Sequence, residues 1–173
     1  MLPIAIFKQF NAKGRYHDDD ARTDLINYIF RMDKARSGYI GGIHVDPFSA
    51  AESMTMVASR FNKDDRIRLR HFVLSFEPVE LCSLDEINEI AQYILSFIGQ
   101  RFQCVYALHE DRIHPHVHFI FNSVSFIDGH KFHGTRKDYY DFLAFLKDLL
   151  LFYDVPILRT VSVKTGVDVQ DID

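Results

Sequence analysis

The spacing of apolar residues divides this chain into strands and amphipathic helices. Residues 3–10, running Pro3-Ile4-Ala5-Ile6-Phe7-Lys8-Gln9-Phe10, read as a strand. The acidic run Asp18-Asp19-Asp20 then supplies an N-cap and favourable first-turn charge for a helix reaching about Lys34. Leu25, Ile26, Ile29 and Phe30 fall at helical spacing within it. Gly38, Gly41 and Gly42 break the chain around Tyr39-Ile40, and Ser49 to Phe61 reads as a second helix with Met54, Val57, Ala58 and Phe61 on one stripe. Arg66 to Phe76 alternates polar and apolar, as a strand does. Ser83-Leu84-Asp85-Glu86 fits a capping box, and Ile87, Ile90, Ala91, Ile94, Leu95 and Ile98 share the face of the helix it opens, which Gly99 stops.

Phe102 to His109 and His116 to Phe126 read as strands whose short separation predicts an antiparallel hairpin. Asp128-Gly129 is a turn, Asp138 to Tyr153 a helix and Val155 to Val163 a last strand. This order predicts an α+β fold, a central, mostly antiparallel five-stranded sheet with helices packed on it.

Composition narrows the class. The chain has 173 residues, 47% hydrophobic and 25% charged, the values of an ordinary globular protein. One domain is expected over residues 1–165, with an acidic, frayed tail at 166–173. The longest apolar stretch, Phe142 to Tyr153, contains Lys147 and Asp148 and falls short of the roughly 20 residues a membrane span needs. The opening Met1-Leu2-Pro3-Ile4 lacks the basic and long apolar regions of a signal peptide. Cys82 and Cys104 make neither a disulfide framework nor a four-ligand zinc site, so a cytoplasmic location is expected. The net charge of −4 argues against a nucleic-acid partner, yet residues 1–70 hold 12 basic and 9 acidic side chains, a net of +3. A basic surface can therefore coexist with an acidic total.

Histidine carries the chemistry. Six of the nine histidines lie between His109 and His133. In His116-Val117-His118 the alternation of a strand points both imidazoles to one face, while Val117, Phe119 and Phe121 point to the other. His109, at the end of the partner strand, comes close to His116 across the predicted hairpin. Three converging neutral imidazoles suit a divalent cation. A chance surface cluster and a structural zinc site are the plainer readings; a set of three ligands leaves coordination positions open, as catalytic sites do. His114 fits the turn beside Pro115.

The segment from His109 to Asn122, His-Glu-Asp-Arg-Ile-His-Pro-His-Val-His-Phe-Ile-Phe-Asn, resembles the histidine motif of conjugative relaxases, the mobilisation nucleases of the HUH endonuclease superfamily. Leu25-Ile26-Asn27-Tyr28-Ile29 followed by Lys34 resembles the motif bearing their nucleophilic tyrosine, and His71-Phe72-Val73-Leu74-Ser75-Phe76 the middle motif, whose serine touches DNA near the nick. The likeness spans roughly residues 20–126 and is closest to the P class of mobilisation relaxases. Two departures are the short chain and the net acidity.

The resemblance implies a sheet with the metal site on one face and helices on the other. It implies a strand transferase that nicks single-stranded DNA at a plasmid or conjugative-element transfer origin and forms a 5′-phosphotyrosyl linkage. His109, His116 and His118 would hold Mg²⁺ or Mn²⁺, with Zn²⁺ or Ni²⁺ possible in vitro. The implied setting is the bacterial cytoplasm, with auxiliary relaxosome proteins and a type IV secretion coupling protein as partners and a monomeric working form.

Eight tyrosines compete for the nucleophile's role. The resemblance selects Tyr28, with Arg31 and Lys34 nearby to steer phosphate. Tyr16, Tyr39, Tyr139 and Tyr140 are rivals. Replication initiators of the same superfamily place their tyrosine after the histidine motif, usually as Tyr-x-x-Lys, whereas here the lysine after Tyr140 comes only at Lys147. Asp111 or Glu110 could orient a histidine or help deprotonate the tyrosine. Ser75 shares strand parity with His71 and Val73 and could contact phosphate. Arg66, Arg68 and Arg70 read either as a phosphate track or as charges guarding an edge strand. Outside relaxases, a rolling-circle initiator using Tyr139 or Tyr140, a metallonuclease using water, and a non-catalytic metal- and DNA-binding module fit the same histidines.

Overall fold

The computed structural model describes residues 1–10, 16–78, 82–111 and 113–163. The expected tail, 166–173, lies outside them. In chain order the elements are β1 (Ile4–Phe10), α1 (Ala21–Ile29), β2 (Ala35–Ile43), α2 (Ala50–Arg60), β3 (Leu69–Glu77), α3 (Leu84–Ile98), β4 (Cys104–His109), β5 (His116–Asn122), α4 (Arg136–Phe152) and β6 (Ile157–Val163). A single turn of 3₁₀ helix, Pro47–Ser49, leads into α2. The α+β class holds.

The strands form one sheet in the order β2-β4-β5-β3-β1-β6. Every pairing is antiparallel except β1 with β6. The sheet thus has six strands where five are expected. The additional one is β2, whose glycines mark close approach to neighbours and not a break. Gly41 lies opposite Tyr106 on β4, and a Cβ there would stand 2.5 Å from the tyrosine ring. An aromatic ring laid over a strand glycine fills the space the missing side chain leaves. Gly99 is likewise chosen for room: its φ is an ordinary −65°, but a Cβ would meet Ile43 at 2.5 Å.

Alternation divides the sheet into two unlike faces. Phe72, Leu74 and Phe76 of β3, Val117, Phe119 and Phe121 of β5, and Tyr106 and Leu108 of β4 pack under α3 and α4. The helical stripe of α3 is buried as its spacing demands, and its Ser83–Glu86 capping box is formed. Each isoleucine so buried contributes about 1.5–3 kcal/mol. The opposite face meets α1 and α2, where Leu25, Ile26, Ile29, Ala50 and Met54 cover Val105, Ala107 and Ile120. Helices therefore cover both faces, where the resemblance implied one. No helix among the described residues is long and apolar enough to cross a membrane.

Two boundaries bear on the site. The first helix ends at Ile29, five residues before the expected Lys34, so Tyr28 sits in its last turn and Lys34 in the loop leading to β2. Asp20 occupies the N-cap without a side-chain hydrogen bond, so the acidic run acts there through charge alone. The third strand begins at Leu69, which leaves Arg66 and Arg68 before it, and it runs between β5 and β1, not at an edge.

A buried arginine locks α1 in place. Arg22 is 1% exposed, and its Nη1 donates to Asp64 at 2.7 Å and to Thr55 at 3.1 Å. Nη2 donates to the Arg68 carbonyl and to Asn122, whose own amide holds the Met54 carbonyl and Gln103. Burial pushes the Arg22 pKa down and Asp64 pulls it back. Removing one partner of such a pair leaves the others desolvated and unmatched. Arg22→Met should therefore lower the unfolding free energy by about 3 kcal/mol in a urea titration.

Candidate metal centre and nucleophile

The ladder registers place the imidazoles. His109 on β4 is the direct partner of His116 on β5, and Ser75 on β3 is the partner of His116 on the other side. One row across the sheet therefore reads Ala35, His109, His116, Ser75, Ile6 and Arg159. The adjacent row on the same face reads Ala107, His118, Val73 and Lys8. His109, His116 and His118 are 0%, 4% and 1% exposed. They offer one ring nitrogen each within 4.8 Å of one another.

Buried imidazoles need partners, and those seen here suit a cation site. His109 Nε2 donates to the Ile29 carbonyl at 2.7 Å. That oxygen belongs to the last turn of α1, where no helical amide is left to serve it. His116 Nδ1 donates to the His114 carbonyl at 3.1 Å. A ring that donates from one nitrogen to a carbonyl carries its lone pair on the other, which is how metal-binding histidines are held in the correct tautomer. His118 Nδ1 lies 2.9 Å from Nε2 of a fourth buried histidine, His71. The donor set thus fits a divalent cation, and three imidazole nitrogens suit Zn²⁺ or Ni²⁺ better than the oxygen-seeking Mg²⁺.

Tyr28 reaches this centre from α1. Its ring lies edge-on to His109, with centroids 6.4 Å apart, and to His118 at 6.1 Å. Lys34 Nζ stands 3.3 Å from the Tyr28 hydroxyl and over the ring, and Asp111 Oδ2 lies 3.5 Å from the same ammonium. Tyr28, Lys34, Asp111, Ser75 and the three histidines thus share one face of the sheet. Glu110 pairs with Arg36 instead.

The other sequence candidates lie elsewhere. Arg31 pairs with Asp33 at the surface. Arg68 is bound to Asp19 and Asp64. Arg70 has the strand parity of Phe72, so it points away from the histidines, donating to the Phe132 carbonyl and lying over that ring. Arg66, Arg68 and Arg70 therefore make no track along the histidine face, because two precede the strand and the third faces α4. Tyr39 donates to Asp85, and that carboxylate pushes its pKa up. Tyr139 and Tyr140 stand on α4, on the opposite face. Tyr16 is buried with its hydroxyl 3.3 Å from His71 Nδ1.

Sequence reasoning left His71, Lys8 and Arg159 without roles. The period-two spacing of His71 and Ser75 was the available signal for the first. Lys8 and Arg159 are placed by pairings that no local pattern reveals.

The MobA/VirD2-like relaxase nuclease-domain family matches residues 28–154. The chain belongs to this family. It is 29% identical over 142 residues to the group II intron-interrupted relaxase LtrB of Lactococcus lactis subsp. cremoris, covering 66% of this chain and 25% of that protein. It is 27% identical over 125 residues to the protein rlx of Staphylococcus aureus, covering 72% of this chain and 37% of the relative. A second S. aureus protein rlx is 25% identical over 112 residues, with 65% and 34% covered. The relaxase-like chain thus spans between a quarter and just over a third of the length of these relatives.

The geometry gives a direct check on the three histidines. The intact chain should bind one equivalent of Mn²⁺ by calorimetry, and His116→Ala or His118→Ala should weaken binding at least about 100-fold by removing one of three ligands. Unchanged binding in both variants would remove the centre.

Proposed function

We propose that this chain is the strand-cutting domain of a relaxase and that it nicks single-stranded DNA at a transfer origin through Tyr28. The observation that carries the reading is the position of Tyr28, its hydroxyl beside the Lys34 ammonium and its ring edge-on to His109 and His118 of the three converging histidines.

His109, His116 and His118 would hold the divalent ion, Mn²⁺ or Mg²⁺ in the cell and Zn²⁺ or Ni²⁺ where those are supplied. Once bound, it supplies charge to polarise the scissile phosphate and offset the negative charge that develops there. The protein's own groups do the rest. Lys34 stabilises the phenolate form of Tyr28, because a cation at hydrogen-bond distance favours the charged oxygen. Asp111 pairs with that ammonium and positions it. The Tyr28 oxygen attacks phosphorus, the bond to the 3′ oxygen breaks, and that oxygen leaves as a 3′-hydroxyl after taking a proton. The 5′-phosphotyrosyl bond retains the energy of the phosphodiester, so a 3′-hydroxyl can reverse the step. Ser75, the strand partner of His116, would donate to a phosphate oxygen, and Lys8 and Arg159, at neighbouring register positions, would add positive charge for the backbone. Arg31 stays a peripheral phosphate contact in this reading, and Arg68 and Arg70 drop out of the DNA-binding set. The bacterial cytoplasm, the auxiliary relaxosome proteins and the type IV secretion coupling protein belong to the same reading, with the domain acting as a monomer.

The test is incubation with Mn²⁺ and single-stranded oligonucleotides from the element's own transfer origin. A denaturing gel should show a covalent adduct, and peptide mass spectrometry should map it to Tyr28. Tyr28→Phe should abolish the adduct, whereas Tyr139→Phe and Tyr140→Phe should leave it intact. Lys34→Met should slow its formation about 100-fold, the cost of one preorganised charge-stabilising donor. An adduct on α4, or cleavage with a free 5′-phosphate, would overturn the assignment.

A further inference from the structure

His71 is a fourth imidazole on the histidine face. It is 2% exposed and touches two rings, one at its face and one at its edge. Phe10 stacks on its face with centroids 4.5 Å apart at 11°, and His118 meets it edge to edge in nearly the same plane, with centroids 5.2 Å apart at 17°. Both its nitrogens are engaged. Nε2 faces His118 Nδ1 at 2.9 Å, and Nδ1 faces the hydroxyl of buried Tyr16 at 3.3 Å. His109 and His116 have their tautomers set by carbonyls, which only accept. His118 instead faces a second imidazole, which can donate or accept, so its tautomer depends on the next partner along.

Two arrangements satisfy this chain. In one, Tyr16 donates to His71 Nδ1, His71 donates from Nε2 to His118 Nδ1, and the His118 proton sits on Nε2. In the other, His118 donates from Nδ1 to His71 Nε2, and His71 donates from Nδ1 to the Tyr16 oxygen. The number of protons is the same in both. Only the second leaves the lone pair of His118 on Nε2, on the far side of the ring from His71.

We infer that His71, backed by Tyr16, is a positioning residue that holds His118 in the Nδ1–H tautomer and turns its Nε2 lone pair toward the cation. The inference rests on the metal-binding reading of His109, His116 and His118. It gives the middle strand a second role beside that of Ser75, with Ser75 serving the DNA and His71 the metal ligand.

The test uses Mn²⁺ titration by calorimetry on the intact 173-residue chain, together with long-range ¹H–¹⁵N NMR of its Zn²⁺ complex. His71→Phe keeps a ring in the stack and removes the acceptor. His71→Gln loses the stack and restores an acceptor. A positioning role predicts that His71→Phe weakens Mn²⁺ binding 10–100-fold, the usual effect of losing a partner behind a ligand, and that His71→Gln returns to within a few-fold of the parent. A packing role predicts the reverse order. In the Zn²⁺ complex the protons should be found on Nδ1 of both His118 and His71. Parent-like Mn²⁺ binding by His71→Phe, or a His71 proton on Nε2 in the Zn²⁺ complex, would overturn the inference while sparing the metal centre. Failure of the folded parent chain to bind either ion would overturn both. Should His71→Phe prove unfolded by circular dichroism, the tautomers of the parent complex decide alone.

Discussion

The hydrogen bond from His109 Nε2 to the carbonyl of Ile29 joins the parts of the candidate site. On one side it serves a carbonyl at the end of α1 that the helix cannot serve itself. On the other it determines which nitrogen of His109 carries a lone pair. One contact thus sets the tautomer of a candidate ligand and docks the helix that carries Tyr28. Arg22, six residues earlier on the same helix, secures the opposite end through Asp64 and Asn122. Between these anchors α1 has little freedom to slide, which matters for the proposed attack on phosphorus, a step that demands placement within a fraction of an ångström.

The sheet makes this arrangement sustainable. Its α3 and α4 face is almost wholly aliphatic and aromatic, so folding is driven there. The other face has apolar cover only where α1 and α2 lie and gives the remainder to His71, His116, His118 and His109. Four imidazoles sharing one buried region would be costly without partners. Each has one, from the Ile29 carbonyl, the His114 carbonyl or a neighbouring ring, and the polar cluster is therefore tolerated next to a conventional core. A cation bound between the rings would complete the set, which ties the stability of this face to the proposed chemistry.

Much of this was legible in the sequence. The spacing of His116 and His118, the short interval back to His109, and the parity of Ser75 with His71 are strand-period facts, and the structure keeps all of them. The capping box and apolar stripe of α3 are equally local. Misreadings arose where a residue answers to a distant partner. The glycines of β2 look like a break until Tyr106 is seen lying across Gly41. Arg66, Arg68 and Arg70 look like a basic track until Asp19 and Asp64 claim Arg68 and the strand is found to begin at Leu69. Tyr16 looks like a rival nucleophile until its hydroxyl is found behind His71.

The sequence alone determined which side chains share a face, because side-chain direction in strands and helices follows from backbone periods of 2 and 3.6. It also determined the likeness to relaxases, since that likeness rests on residue types at fixed local spacings. Only the tertiary structure decided which of the eight tyrosines stands at the histidines. That choice depends on where α1 lies over the sheet, and its position is set by contacts between residues 42 to 100 positions apart, Arg22 with Asp64 and Asn122 and Ile29 with His109. Contacts of that range leave no periodic trace in the chain, and they exist only once β3, β4 and β5 have paired.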